Sequence, residues 1–314
     1  MLNLIVEKVW DETERIRVFT LKNCTDRPLP SFTPGAHITV ELGILGTRSY
    51  SLIDWSNETY KPKNYIVAVQ REDNGLGGSI EMYKLDIGRK LKASDPTNNF
   101  KLKTEKAPVV LLAGGIGITP LISMATYLKS SNIEFNLHYS ARSEKNIAFQ
   151  KALTEKFTPN VSFYFDDKKP LNLDKLAENM SRESQLYICG PQGFICEAQK
   201  TASKLGISKE KVFIELFNNT HNKTANTSFE VEIKSTGEVY TIPADKTIIQ
   251  ILEDKGLDLI YDCQRGDCGI CQTDVLEGLP DHRDVVLSKD EKESGKVMQI
   301  CVSRAKSSRL ILDL

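Results

Sequence analysis

Four of the seven cysteines fall in the last 52 of 314 residues, and their spacing constrains the chain more than any other feature. Cys263-x4-Cys268-x2-Cys271 is followed, after 29 residues, by Cys301. Three thiolates on one tight loop plus one distant thiolate can close a tetrahedral sulfur set around two bridged irons. Arg265-Gly266-Asp267 and Gly269-Ile270 make a small loop whose backbone N–H groups can turn toward the cluster sulfides. Zinc is the alternative, but zinc sites usually carry two short cysteine pairs, and here there is one. The odd cysteine count and the clustering favour a reducing compartment over a disulfide framework. Cys24 and Cys196 have no accompanying motif and read as small buried hydrophobes.

The rest of the chain changes rhythm twice. At roughly 100–150 residues per domain, the length allows two or three domains. Residues 1–103 alternate in short apolar runs (Leu4–Val9, Ile16–Leu21, His37–Leu42, Arg48–Ile53, Tyr65–Arg71) broken by turn residues, which predicts an antiparallel barrel or sandwich. Residues 104–217 alternate apolar strands (Val109–Ala113, Phe135–Tyr139, Val161–Phe165, Leu186–Cys189, Val212–Ile214) with helical stretches. Those are Leu121–Leu128, Glu144–Lys156, Leu173–Met180 and Gly193–Leu205. That is the pattern of a parallel α/β sheet. The polar, aperiodic residues 218–227 read as a linker. Residues 228–314 hold a hairpin (Phe229–Lys234, Val239–Pro243), a helix (Thr247–Lys255), the cysteines and a closing strand (Leu310–Leu314).

Two glycine motifs sit at strand ends of the α/β segment. Gly114-Gly115-Ile116-Gly117-Ile118-Thr119-Pro120 carries a strand into a helix, so backbone can approach a pyrophosphate at a helix N-terminus. Tight strand–helix turns use glycine for packing as well. Cys189-Gly190-Pro191 ends another strand, and in open parallel sheets ligands sit at such carboxyl ends. Gly114 and Cys189 should therefore face one crevice. A buried thiol of purely packing role is the other reading of Cys189. In the first segment, Arg48-Ser49-Tyr50-Ser51 places Arg48 and Tyr50 on one strand face. A guanidinium can grip a phosphate and a phenol ring can cover a heterocycle, with Gly77-Gly78-Ser79 adding backbone and hydroxyl donors.

Charge narrows the class of partner. The net formal charge is −1, yet Ser228 onward holds 11 Lys/Arg against 17 Asp/Glu, giving −6; the remainder is 30 against 25, giving +5. An acidic tail on a mildly basic body fits charge-steered docking, with Arg265 and Asp267 expected on the exposed rim of the cysteine loop; a solvated acidic surface accounts for it equally. No apolar run is long enough to span a bilayer, and the N-terminus lacks a secretory pattern. We expect neither a membrane nor a nucleic-acid partner. His37, His138, His221 and His282 have no metal-site spacing and read as structural or surface residues.

Together the motifs resemble the phthalate dioxygenase reductase family over essentially the whole chain. Arg48–Ser51 and Gly77-Gly78-Ser79 are similar to that family's flavin strand and flavin-phosphate turn, and Gly114–Pro120 and Cys189-Gly190-Pro191 to its nicotinamide motifs. Glu215-Leu216-Phe217 is similar to the segment whose aromatic covers the flavin ring, and Asp281–Asp284 and Cys301–Lys306 also match. The resemblance implies an N-terminal antiparallel FMN-binding β-barrel, a central NAD-binding α/β domain and a C-terminal β-grasp plant-type ferredoxin. It implies FMN, NADH and a [2Fe–2S] cluster as cofactors, with Thr119, Cys189 and Phe217 at the hydride-transfer site. The implied acceptor is a Rieske-type oxygenase served by a cytoplasmic monomer, with vanillate-like aromatic acids as the first substrate class. Phthalate-like acids and quaternary ammonium compounds are alternatives. A general NADH-dependent ferredoxin-type carrier, or an NADH oxidase acting on small acceptors, are the competing classes.

Overall fold

The computed structural model describes residues 1–25, 27–103, 107–217 and 226–314. The chain divides into two compact units, Met1–Glu215 and Leu216–Leu314. Most of the expected linker, residues 218–225, lies outside the described residues.

The first unit begins with β1 (Leu2–Thr13), β2 (Ile16–Asn23), β3 (His37–Glu41), β4 (Thr47–Ser51) and β5 (Asn64–Gln70), then helix α1 (Gly78–Tyr83) and β6 (Lys90–Ala93). The strands form one antiparallel sheet in the order β4-β3-β6-β1-β2-β5. Ile53 N–H donates to Ile66 carbonyl at 2.8 Å, which links the chain after β4 to β5 and curls the sheet into a barrel. Alternation puts Leu4, Val6, Phe19, Leu21, Ile38, Val40, Tyr65 and Val67 inside. Burying each such side chain contributes about 1.5–3 kcal/mol.

The parallel sheet consists of β7 (Val109–Gly114), β8 (Phe135–Ala141), β9 (Val161–Phe165), β10 (Gln185–Cys189) and β11 (Val212–Glu215), in the order β11-β10-β7-β8-β9. Helices α2 (Ile118–Ser130), α3 (Gln150–Phe157), α4 (Leu173–Ala177) and α5 (Gln192–Lys204) connect them. The chain winds from β7 outward to β9, then returns to the other side of β7 with β10. The crevice between the carboxyl ends of β7 and β10 is therefore the switch point at which such sheets bind ligands.

The helix expected over Glu144–Lys156 does not form as one piece. A single 3-10 turn covers Glu144–Asn146, and α3 starts only at Gln150. Phe149 breaks it: its φ is +61°, and its N–H is taken by Glu12 Oε1 at 2.8 Å, from the far end of β1. Ser123 Oγ on α2 makes a second tie to the barrel, donating to Leu52 carbonyl (2.7 Å) and accepting from Asp54 N–H (2.8 Å).

The second unit holds β12 (Phe229–Ile233), β13 (Val239–Ile242), α6 (Ile248–Asp254), β14 (Gln272–Glu277), β15 (Pro280–Asp281), α7 (Lys289–Ser294), β16 (Val297–Gln299), β17 (Arg304–Ala305) and β18 (Arg309–Leu312). Its main sheet runs β13-β12-β18-β14-β16, with β12 and β18 parallel and the other pairs antiparallel. Ile248, Ile249 and Leu252 of α6 pack into the core formed with this sheet, a β-grasp arrangement. A Thr247–Gln250 capping box starts α6. Asn226 and Thr227, expected as linker, are tied down: Arg283 Nη1 donates to Asn226 Oδ1 (2.9 Å) and Arg304 Nη2 to Thr227 carbonyl (3.2 Å).

Candidate functional site

Arg48 and Gly78, thirty positions apart, meet in the barrel. A Cβ on Gly78 would lie 2.7 Å from Arg48 Nε, so the glycine lets the arginine side chain lie against the turn in the position it takes here. Arg48 Nη1 donates to the carbonyls of Leu45 (3.1 Å) and Thr47 (2.7 Å), which leaves other N–H groups of its fork for an anion. Tyr50 shares that face; burial pushes its phenol up, and the Arg48 charge opposes the shift. Ser51 is buried, and its Oγ has no hydrogen-bond partner among the described residues. Such an orphan hydroxyl suits a bound group that supplies the partner. Ser79 Oγ accepts from Glu72 N–H at 2.9 Å, leaving its O–H to donate elsewhere. Ser49 makes its own contact away from Arg48, with Oγ 3.0 Å from Thr39 Oγ1.

The switch-point crevice is built from two touching glycine turns. A Cβ on Gly117 would lie 2.2 Å from the carbonyl oxygen of Cys189; one on Gly114 would lie 2.9 Å from Pro191 Cδ and 3.3 Å from Gly190 Cα. Gly115 lies between them in sequence at φ +57°. The sequence motifs thus converge, with Ala113 and Cys189 as cross-strand partners. Thr119 Oγ1 donates to Ile116 carbonyl at 3.1 Å and holds the turn in shape. Thr119 and Pro120 occupy the first turn of α2, a thirteen-residue helix whose leading N–H groups face the crevice end of the sheet. Gln70, which the sequence reading passed over, brings the barrel to this loop. Its Oε1 is 3.9 Å from the position of a Cβ on Gly115, and its Nε2 donates to Glu72 Oε1 at 2.6 Å.

In the second unit the four thiols come together. Their hydrogen-bond contacts run as a chain, Cys268 to Cys263, Cys263 to Cys301, and Cys301 to Cys271. Hydrogen bonds from Cys268 and Cys301 hold Cys263 below the usual thiol range, and the same bonds push the two donors up. No three His, Cys, Asp or Glu side chains among the described residues form a ligand set for one ion. A chain of four thiols with two at either end suits two bridged metal atoms. The loop permits this because Gly266 sits at φ +79°, where a Cβ would lie 2.7 Å from Val302 Cγ2 and 3.1 Å from Asp284 Cα. Asp284 braces that contact; its Oδ2 accepts from Leu287 N–H at 2.8 Å. The donor set and the cradle fit a [2Fe–2S] cluster.

The rim of the loop differs from expectation. Asp267 turns inward, its side chain 3% exposed, accepting from Leu216 N–H at 2.9 Å and Arg265 Nε at 3.3 Å. Burial pushes its carboxyl up to about 7. The exposed residues of the loop are Asp262, Gln264 and Ile270. Leu216 is buried, and Asp267 supplies the acceptor that its amide needs. Phe217 is the last described residue before the undescribed stretch and belongs to this unit. His37 and His138 are structural, paired with Thr97 Oγ1 and Tyr164 OH, each at 3.0 Å. His282 sits 4.0 Å from Asp284, and His221 lies outside the described residues.

A β-barrel with an arginine–glycine anion cradle, a parallel sheet with a glycine-lined switch point and a four-thiol β-grasp unit define an electron-transfer flavin and iron–sulfur oxidoreductase. Residues 231–306 match the 2Fe-2S iron-sulfur cluster binding domain family. The whole chain is 35% identical to vanillate O-demethylase oxidoreductase of Acinetobacter baylyi, covering 99% of it. It is 34% identical to the carnitine monooxygenase reductase subunit of Acinetobacter baumannii, covering 98%. The solved structure of phthalate dioxygenase reductase, described as a modular structure for electron transfer from pyridine nucleotides to [2Fe–2S], superposes over the full chain with TM-score 0.73 and 34% identity, covering 98% of that chain. The protein belongs to the phthalate dioxygenase reductase family and is an electron-transfer reductase for an oxygenase.

Proposed function

We propose that this reductase takes electrons from NADH and delivers them through FMN and a [2Fe–2S] cluster to a Rieske-type oxygenase that acts on a vanillate-like aromatic acid. The observation that carries the reading is the joining, in one chain, of the Gly117–Cys189 crevice, the Arg48–Gly78 cradle and the four-thiol chain. When bound, the flavin takes a two-electron hydride and the cluster passes electrons one at a time. Everything else is positioning by protein groups. Arg48, Tyr50, Ser51, Gly77, Gly78 and Ser79 hold the flavin's phosphate and ring. Gly114, Gly115, Gly117, Thr119, Pro120, Gly190 and Pro191 hold the nucleotide, with Cys189 at the floor of the crevice; Phe217 is the aromatic that the family resemblance assigns to the flavin ring. No general base is needed, since hydride transfer abstracts no proton.

NADH is favoured over NADPH by charge. Asp166 N–H donates to Ala141 carbonyl at 3.1 Å, which sets the Asp166-Asp167 pair beside the carboxyl end of β8. A 2′-phosphate near that end would meet like charge, although Arg142 follows by one residue. Steady-state kinetics with both nucleotides tests this; a kcat/KM for NADPH equal to that for NADH contradicts it. We read the chain as a cytoplasmic monomer; no helix among the described residues is long and apolar enough to cross a membrane. Three domains, 1–103, 104–217 and 228–314, carry the three cofactors in this scheme.

The substrate is decided on the partner protein. Stopped-flow reduction of purified vanillate-, phthalate- and carnitine-type oxygenases by the NADH-reduced chain tests the assignment. Fastest reduction of the vanillate-type partner is expected. Preference for the carnitine-type partner would move the reading to quaternary ammonium substrates.

A further inference from the structure

Cys271 and Gln299 meet at one end of the thiol chain. Cys271 Sγ donates to Gln299 Oε1 at 3.4 Å. Gln299 is fully buried, and its Nε2 donates outward to Gln272 Oε1 at 3.2 Å. Gln272 and Gln299 are cross-strand partners on β14 and β16, and Gln272 is exposed. The backbone of Gln299 is fixed as well. Its carbonyl accepts from Val302 N–H (3.3 Å) and Ser303 N–H (3.0 Å), closing the turn that carries Cys301. The amide is therefore held between the Cys271 thiol on one side and the Gln272 amide on the other.

The direction of the Cys271–Gln299 bond belongs to a protonated thiol. Ligation to iron removes that proton, and a thiolate can only accept. A carbonyl oxygen left facing the ligated sulfur would set lone pair against lone pair in a buried site, which is costly. Half a turn about the last side-chain bond exchanges the amide oxygen and nitrogen at almost the same positions. Nε2 then donates to the sulfur and Oε1 faces Gln272, whose exposed amide can turn in water to donate back. The backbone does not move.

We propose that Gln299 is a positioning residue of the cluster, its side-chain amide donating to the Cys271 sulfur with Gln272 holding the outer end. The inference rests on the proposed binding of a [2Fe–2S] cluster by the four cysteines. A hydrogen bond to a ligating sulfur stabilises the reduced, more negative cluster, so it raises the reduction potential. The neighbouring thiols and the sheet explain why the residue is buried; they do not explain an amide there, since a methionine of similar length would fill the space.

The test uses the full chain labelled with 15N at glutamine side-chain amides, reduced and examined by pulsed EPR. Absence of any [2Fe–2S] signal sinks the cluster reading itself, separately from the amide. With the signal present, a coupled side-chain 15N is expected, and it should persist in Gln264→Met, which removes the other glutamine side chain of the cysteine loop. No coupling, or its loss in Gln264→Met, overturns the proposal without requiring any change at Gln299. Gln299→Met and Gln299→Glu, where they assemble the cluster, should lose the coupling and titrate at a lower potential. Wild-type potentials in both would also overturn it.

Discussion

Gly117 lies so close to Cys189 that a Cβ on the glycine would sit 2.2 Å from the Cys189 carbonyl oxygen. No heavy atoms approach that closely, and the atom in the way is backbone, so one of two adjoining strand ends must move. Gly117→Ala should cost about 1–3 kcal/mol of stability in the first unit, as overpacked sites do. NADH should reduce the flavin with a raised KM. Gly193→Ala, where a Cβ meets nothing within 4 Å, is the control and should behave as wild type. Thermal unfolding and steady-state kinetics on the pair decide it; equal behaviour of the two variants would contradict the crevice geometry.

Arg48 and Ser49 are neighbours in sequence with opposite prospects. Removing the guanidinium in Arg48→Ala should weaken flavin binding by about 1.5–3 kcal/mol, the worth of a hydrogen bond to a charged group. That is roughly a ten- to hundred-fold loss, visible as flavin released on gel filtration. Ser49→Ala should retain flavin, because its hydroxyl is engaged by Thr39 Oγ1. Flavin loss from the serine variant and not from the arginine variant would reverse the assignment.

Cys301 is the proposed cluster ligand brought from farthest along the sequence, and it touches both Cys263 and Cys271 through its thiol. Cys301→Ser should abolish or strongly reduce the iron–sulfur absorption while NADH still bleaches the flavin. A variant with normal cluster absorption and full reduction of a one-electron protein acceptor would show that another residue is the fourth ligand.

Burial of His138 on β8 lowers its pKa from 6.5 to about 4. The unfolded chain therefore takes up this proton first as pH falls. The contribution is full above about pH 6.5 and is lost as pH drops toward the folded value near 4. NMR titration should find the His138 ring still neutral at pH 5 in the folded protein. A ring that titrates near 6.5 would mean the site is wetter than its packing against Tyr164 implies.

The acidic excess of −6 from Ser228 onward predicts a salt-sensitive encounter with the oxygenase. Across an ionic-strength series, reduction of the partner should slow while reduction of the flavin by NADH changes little. A partner-reduction rate indifferent to salt would leave the charge as a solubilising surface.

Short-range pattern made much of this protein legible from its residues. The two-residue period exposed the barrel strands, the glycine turns marked the ends of β7 and β10, and the thiol spacing announced the cluster. Other features depend on partners distant in the chain, which no local period records. Phe149 breaks an otherwise good helical stretch because Glu12 takes its N–H from 137 residues away. Asp267 leaves the rim because Leu216 needs an acceptor. Gln299 became a candidate only when β14 and β16 paired and set its amide against Cys271. Helix and strand periods report which face of a segment is apolar; which buried donor meets which acceptor is decided when the segments pack and every polar group removed from water must find a partner.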